Sequence, residues 1–191
     1  ALTTTANGYH LELLGSNTNV TGNTTFLNTG RLVLGDAAAD SLSFAGGLTA
    51  TAPSAISTAG TVSTSNTAMR LGDGDTAITL SGDLTLSTAG GDLTLGGALN
   101  GTAANTQSLT LNAGSAGAVG VTGAVGQTTS LRTLTLANSN GATFSSAVTT
   151  GTSVVLSDTV AGQTIRFADD LSTPALTTTA NGYHLELLGS N

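Results

Sequence analysis

The chain has 191 residues, a formal net charge of −7, 8% charged residues, 3% aromatic residues, and neither Lys, Cys nor Trp. With four Arg as the only basic side chains apart from two His, no basic stripe is available to neutralise phosphates, which excludes nucleic acid as a partner and disfavours an anionic membrane surface. Lack of Cys removes disulfides and thiolate metal sites, yet at 39% hydrophobic the chain has enough apolar surface to fold, around a narrow core of Leu, Val, Ala and Ile with four Phe.

The opening segment, "ALTTTANGYHLELLGSN", recurs without substitution as residues 175–191, so position 1 maps onto position 175. Repetition of this kind marks an array, and the chain divides into one unit, residues 1–174, and the start of the next, residues 175–191. There is no initiator Met, no leader pattern and no apolar run long enough to span a bilayer, as expected of a slice from a longer periodic chain with no membrane insertion of its own.

Along the chain the apolar residues come as alternating pairs: Leu11 and Leu13, Leu32 and Leu34, Leu42 and Phe44, Ile78 and Leu80, Leu84 and Leu86, Leu93 and Leu95. The series continues with Leu109 and Leu111, Val119 and Val121, Leu134 and Leu136, Val154 and Leu156, Ile165 and Phe167. Period two is the mark of a strand with one buried face, and each of these strands is expected to run about three to five residues. Between them lie "NG", "GG", "GD" and "NSNG" stretches whose residues tolerate tight corners. No stretch has helical apolar spacing, so essentially no α-helix is expected.

Corresponding strands recur about every 20 to 25 residues, as in Leu13 to Leu34, Leu111 to Leu134, Leu136 to Leu156 and Phe167 to Leu187. That is the length of one coil of a β-solenoid, in which successive coils stack in parallel around a narrow core. The predicted fold is an all-β, right-handed parallel β-helix with two or three strands per coil and about eight coils in one period, advancing about 38 Å. A single coil buries about six small side chains, too few to offset the entropy of ordering its backbone, so coils are stable only as neighbours. Both ends read as ordinary repeat sequence rather than caps, and they are expected to meet further coils.

The stretch "GDLTLGGALNGTAANTQSLTLNAGSAGAVGVTGAVGQTTSLRTLTLANSNGATFSSAVTTGTSVVLSDTV", residues 91–160, resembles the repetitive regions of giant bacterial surface proteins of the filamentous-haemagglutinin-like type, in which phrases similar to "LTLNAGSAGAV", "VTGAVG", "LRTLTLANSNGATF" and "SSAVTT" recur. The resemblance implies a right-handed parallel β-helix, export to the cell surface, and a role as fibre, stalk or adhesin. The secretion and haemagglutination domains of that family have no counterpart here. On this reading the partners are copies of the same repeat, end to end in one chain or between chains, with lateral association into fibres. The runner-up is a carbohydrate-binding or adhesive module using an exposed face with Tyr9, Thr and Asn. A tandem of β-sandwich domains is a third, and it requires aromatic core anchors that are missing.

Residues able to carry chemistry are sparse. His10 with Glu12, repeated as His184 with Glu186, lie at strand spacing on an outward face and lack converging partners. Arg166 precedes Glu186 by one coil length, which predicts an outward ion pair between adjacent rungs. Asp73, Asp75 and Asp92 echo the glycine and aspartate phrases of calcium-binding turns, but those phrases must be consecutive and here they are not. Asp169 and Asp170 invite comparison with paired acids of polysaccharide hydrolases, although adjacent strand residues point to opposite faces. No catalytic, cofactor-binding or metal-ligating residue is assigned, and an enzyme is not expected. The sequons at Asn19, Asn23 and Asn100 are better explained by Asn side chains bonding between stacked corners. The threonines of "ALTTTANG" raise the question of an ice-ordering Thr array, but the paired rungs vary too much along the chain to predict one.

Overall fold

A computed structural model describes residues 1–189. Its strands are joined entirely by parallel ladders, and among the described residues there is no helix. The fold is an all-β parallel β-solenoid of about eight coils. Strands gather into a nine-stranded sheet and a twelve-stranded sheet. The latter carries two rungs of every complete coil and turns a corner between them, so each coil contributes to three faces.

Face 1 is the nine-stranded sheet, whose rungs run Leu2, Thr24, Leu48, Met69, Leu93, Val119, Ala142, Ile165 and Leu185 in unbroken register. The interval between successive rungs is not fixed; it is shortest from Ile165 to Leu185 and longest from Leu93 to Val119. Face 2 runs Leu11, Leu32, Ile56, Ile78, Leu99, Val125, Val148 and Leu171. Face 3 runs Thr18, Leu42, Val62, Leu86, Leu111, Leu136, Leu156 and Thr178. The register settles one rung differently from the simple spacing: Leu134 lies over Leu109, and Leu111 lies under Leu136. Coils differ in how many residues they spend at corners, so a fixed interval drifts by a residue pair.

Every alternating pair but the first is wholly buried, from Leu32 and Leu34 to Ile165 and Phe167. Leu11 and Leu13, in the first coil, are half-buried because only one neighbouring coil covers them. The core is one continuous cluster along the axis. Its widest side chains are paired: Phe144 stacks on Phe167 one coil above, centroids 4.6 Å apart and rings 4° from parallel, and Phe26 meets Phe44 edge-on at 6.2 Å. Stacking at that distance follows from the inter-coil spacing of a parallel ladder, about 4.8 Å, which brings identical residues in register within ring contact.

Several strands are longer than the three to five residues that the pairs define. Ala55–Ser63, Ala77–Ser87, Leu131–Asn138 and Val148–Leu156 run without interruption from face 2 to face 3. The corner is taken by a register shift, as between Leu80 and Leu84. Gly60, at this corner in the coil below, has φ +80°, and a Cβ there would collide with the carbonyl oxygen of Asp40. Only glycine lets the backbone pass so close.

All four Arg sit within paired strands: Arg31–Leu34, Met69–Leu71, Leu131–Asn138 and Thr164–Phe167. Their side chains are exposed, but the peptide bonds after them are held in ladders. Trypsin is therefore expected to leave the folded chain intact and to digest it once denaturant is added. Rapid cleavage of the native chain at Arg70 or Arg132 contradicts the assigned strands. Phe167→Ala removes half of the buried stack and is expected to cost about 3 to 5 kcal/mol in denaturant unfolding; a cost below about 1 kcal/mol contradicts the packing.

Candidate functional site

The polar groups that sequence singled out are dispersed over the solenoid. His10 is exposed, and its Nδ1 accepts the N–H of Arg31 on the coil above at 2.8 Å. Glu12 is exposed and lies in register with Val33. In the second copy, Glu186 lies in register with Arg166, and the guanidinium Nε stands 3.9 Å from Glu186 Oε2 with both side chains about half exposed. The predicted outward pair is thus present, with the small stabilisation such an exposed pair provides.

Asp73 and Asp75 share one turn, where Asp73 Oδ1 accepts the Asp75 N–H at 3.3 Å and the Thr76 hydroxyl at 2.9 Å. Thr76 in turn connects to the coil below through the carbonyl of Pro53, and its hydroxyl is buried. Asp92 is occupied elsewhere, accepting the Ala118 N–H at 3.0 Å from the next coil. Asp169 Oδ1 accepts the N–H of Asp170. With Leu171, Leu176 and Leu187, these two acids line a cleft of about 650 Å³ on the last described coil. Among the described residues no three His, Asp or Glu side chains come together as a metal site.

Several asparagines work between coils. Asn100 Oδ1 accepts the N–H groups of Thr128 and Thr129, at 2.9 and 3.1 Å, and Asn105 Oδ1 takes the Ser130 hydroxyl at 2.6 Å. Asn181 donates to Asp158 at 2.8 Å. Asn19 and Asn23 are exposed, and the Asn23 side chain donates to Thr25 within its own coil, so of the three sequon asparagines the inter-coil bonding is seen at Asn100. The Asn100 bonds satisfy corner backbone groups that no ladder reaches, whereas those of Asn105 and Asn181 join side chains of successive coils.

Two polar devices are not foreseen from sequence. In the first, Asp83, Ser108 and Arg132 form a staple across three coils: Asp83 accepts the Ser108 N–H at 2.8 Å and Arg132 Nη2 at 2.9 Å, while Arg132 Nε donates to Ser108 Oγ at 3.0 Å. Their separations, 25 and 24 residues, match the coil length and are the available signal. In the second, the buried carboxylate of Asp40 accepts the N–H of Asp36 at 2.9 Å and of Ala37 at 3.0 Å, closing the corner between faces 2 and 3.

Outward threonines are more regular than the paired rungs implied. Thr61, Thr85, Thr110 and Thr135 stand in register on four successive coils of face 3, followed by Val155 and Thr177. On face 1, Thr3, Thr25 and Thr49 stack in the same way before Arg70 interrupts them. Tyr9 is exposed, and hydrogen bonding from Thr5 lowers its phenol below the ordinary value. Its copy Tyr183 packs against the core instead.

The arrangement links coils to one another. Among the described residues no helix is long and apolar enough to cross a membrane. Comparison of the chain with protein-family models, curated proteins and solved structures gives no match.

The two backbone N–H groups hold the Asp40 carboxyl below the usual carboxylate value of 3.8. The folded value is the depressed one, so the carboxylate's contribution is complete above the unfolded value and disappears as pH falls through the folded one. Asp40→Ala is expected to lower Tm at neutral pH, with the deficit shrinking below about pH 3.8. A deficit that stays constant from neutrality to strong acid contradicts the assignment.

Proposed function

We propose that the chain is a structural repeat of an extracellular bacterial fibre, filament or adhesin stalk and performs no catalysis. The observation that carries this reading is the unbroken nine-rung register of face 1, in which every coil rests on the one beneath and none departs into a separate lobe. Such a stack transmits load through backbone hydrogen bonds parallel to its axis, and its length grows in proportion to the number of coils. Low charge and continuous ladders suit exposure to proteases outside the cell.

Residues 1–174 then form one unit and residues 175–191 the beginning of the next. Its partners are copies of the same repeat, joined end to end within one chain or between chains and associating laterally into fibres. Support for the filamentous-haemagglutinin-like reading comes from the phrases of residues 91–160, which resemble those that recur in that family, together with the solenoid they form.

The test is location and shape together. Antibody raised against this chain, applied to intact cells that produce it, is expected to decorate thin filaments at the surface. Labelling seen only after permeabilisation, or on compact particles, overturns the proposal.

A further inference from the structure

The duplicated segment does not return to the face on which it started. In the first copy, Leu2–Thr3 lies on face 1 and Leu11–Leu13 on face 2. In the second, the identical Leu176–Thr178 lies on face 3 above Val154, and Leu185 lies on face 1 above Ile165. From Leu2 to Ile165 the register counts seven full coils, and the chain then crosses face 2 at Leu171 before it reaches Leu176. The unit formed by residues 1–174 therefore takes seven and two thirds coils rather than a whole number.

We infer that in a chain iterating this unit each copy is turned by one face relative to the copy below, so that three copies bring the pattern back to its starting face. The inference rests on the fibre reading. The two copies of the segment between them display both of its surroundings. Residues 1–17 show what lies above it, with Leu32 over Leu11 and Thr24 over Leu2. Residues 175–189 show what lies beneath it, with Ile165 under Leu185 and Val154 under Leu176. A junction needs only these two sets of contacts at once.

The same residues serve two faces because every face makes the same demand, alternating apolar side chains directed inward. What changes is the outward company. Glu12 stands beside Val33, whereas Glu186 stands beside Arg166. Tyr9 is exposed, whereas Tyr183 packs on the core. Each junction would thus carry an Arg–Glu pair that the interior of the unit lacks at that rung.

The consequence concerns any partner lying along the fibre. A feature shown once per unit, such as the row Thr61, Thr85, Thr110 and Thr135, cannot extend into a continuous stripe. It steps round three faces at intervals of about 37 Å and reappears on the same face after about 110 Å, taking about 4.8 Å per coil. A second copy alongside meets equivalent surfaces on all sides, which favours bundles over flat sheets.

Two measurements test this. The chain has no cysteine, so the double variants Val155→Cys with Thr177→Cys and Arg166→Cys with Glu186→Cys are each expected to close a disulfide on mild oxidation, while Val155→Cys with Glu186→Cys stays open. Failure of both closures in folded protein overturns the inference. A polypeptide of three units bearing Thr143→Cys in each, labelled with gold and imaged by cryo-microscopy, is expected to show labels stepping round the rod at about 37 Å. Labels along one face of a continuous rod overturn the rotation and leave the fibre reading standing. Separate beads on a string overturn both.

Discussion

Every feature of this molecule depends on one constraint, the parallel hydrogen-bonded ladder between coils. Backbone groups of the strands are satisfied by the coils above and below, and only corner groups bond within a coil, so a rung has a fixed neighbour at about 4.8 Å and its side chain meets the corresponding side chain of that neighbour. Given this, the inward position is apolar on most rungs, as in the buried pairs from Leu32 and Leu34 to Ile165 and Phe167, while Thr24 on face 1 and Thr58, whose hydroxyl donates to the Leu34 carbonyl, are buried polar exceptions. Charged side chains and most other polar ones lie at corners and on outer faces, where many bond along the axis. Asn100, Asp92 and Asp83 each accept backbone N–H groups one coil away. The staple from Asp83 through Ser108 to Arg132 extends the same logic over three coils.

The ladder also accounts for the dispersal of the polar groups that sequence singled out. Chemistry of the general acid and base kind needs groups from different elements converging on a cleft. Successive coils present groups as parallel files, and here the files hold Thr, Ser and Asn far more than acids or His. Asp73 and Asp75 satisfy their own turn, and Asp92 is engaged with Ala118. A reading as fibre or stalk asks only that the files be long and the stack continuous.

Much of this is legible in the sequence because the ladder imposes a local rule. Alternation at pairs such as Leu93 and Leu95, or Val119 and Val121, announces inward residues whatever lies above. The pairing of Arg166 with Glu186 is readable because only a single coil separates them. Register over longer distances is less legible. Coils on face 1 vary in length, from the short step between Ile165 and Leu185 to the long one between Leu93 and Val119, and the excess is spent at corners where Gly and Asn leave no periodic mark. A fixed interval consequently sets Leu111 against Leu134, one residue pair short of its partner Leu136. For the same reason the Thr file from Thr61 to Thr135 emerges only once register is known. Asp40 gives no sequence signal, since its partners are backbone N–H groups of a turn. The change of face between the two copies of the repeated segment is a property of the accumulated register, invisible to either copy alone.

The most direct test of the ladder is a set of backbone nuclear Overhauser contacts on face 1 in solution. Contacts linking Leu93 with Val119, Val119 with Ala142 and Ala142 with Ile165 in parallel register are the result the stack requires. Antiparallel contacts between strands adjacent in sequence, such as Leu93–Leu95 with Ala98–Gly101, would contradict it.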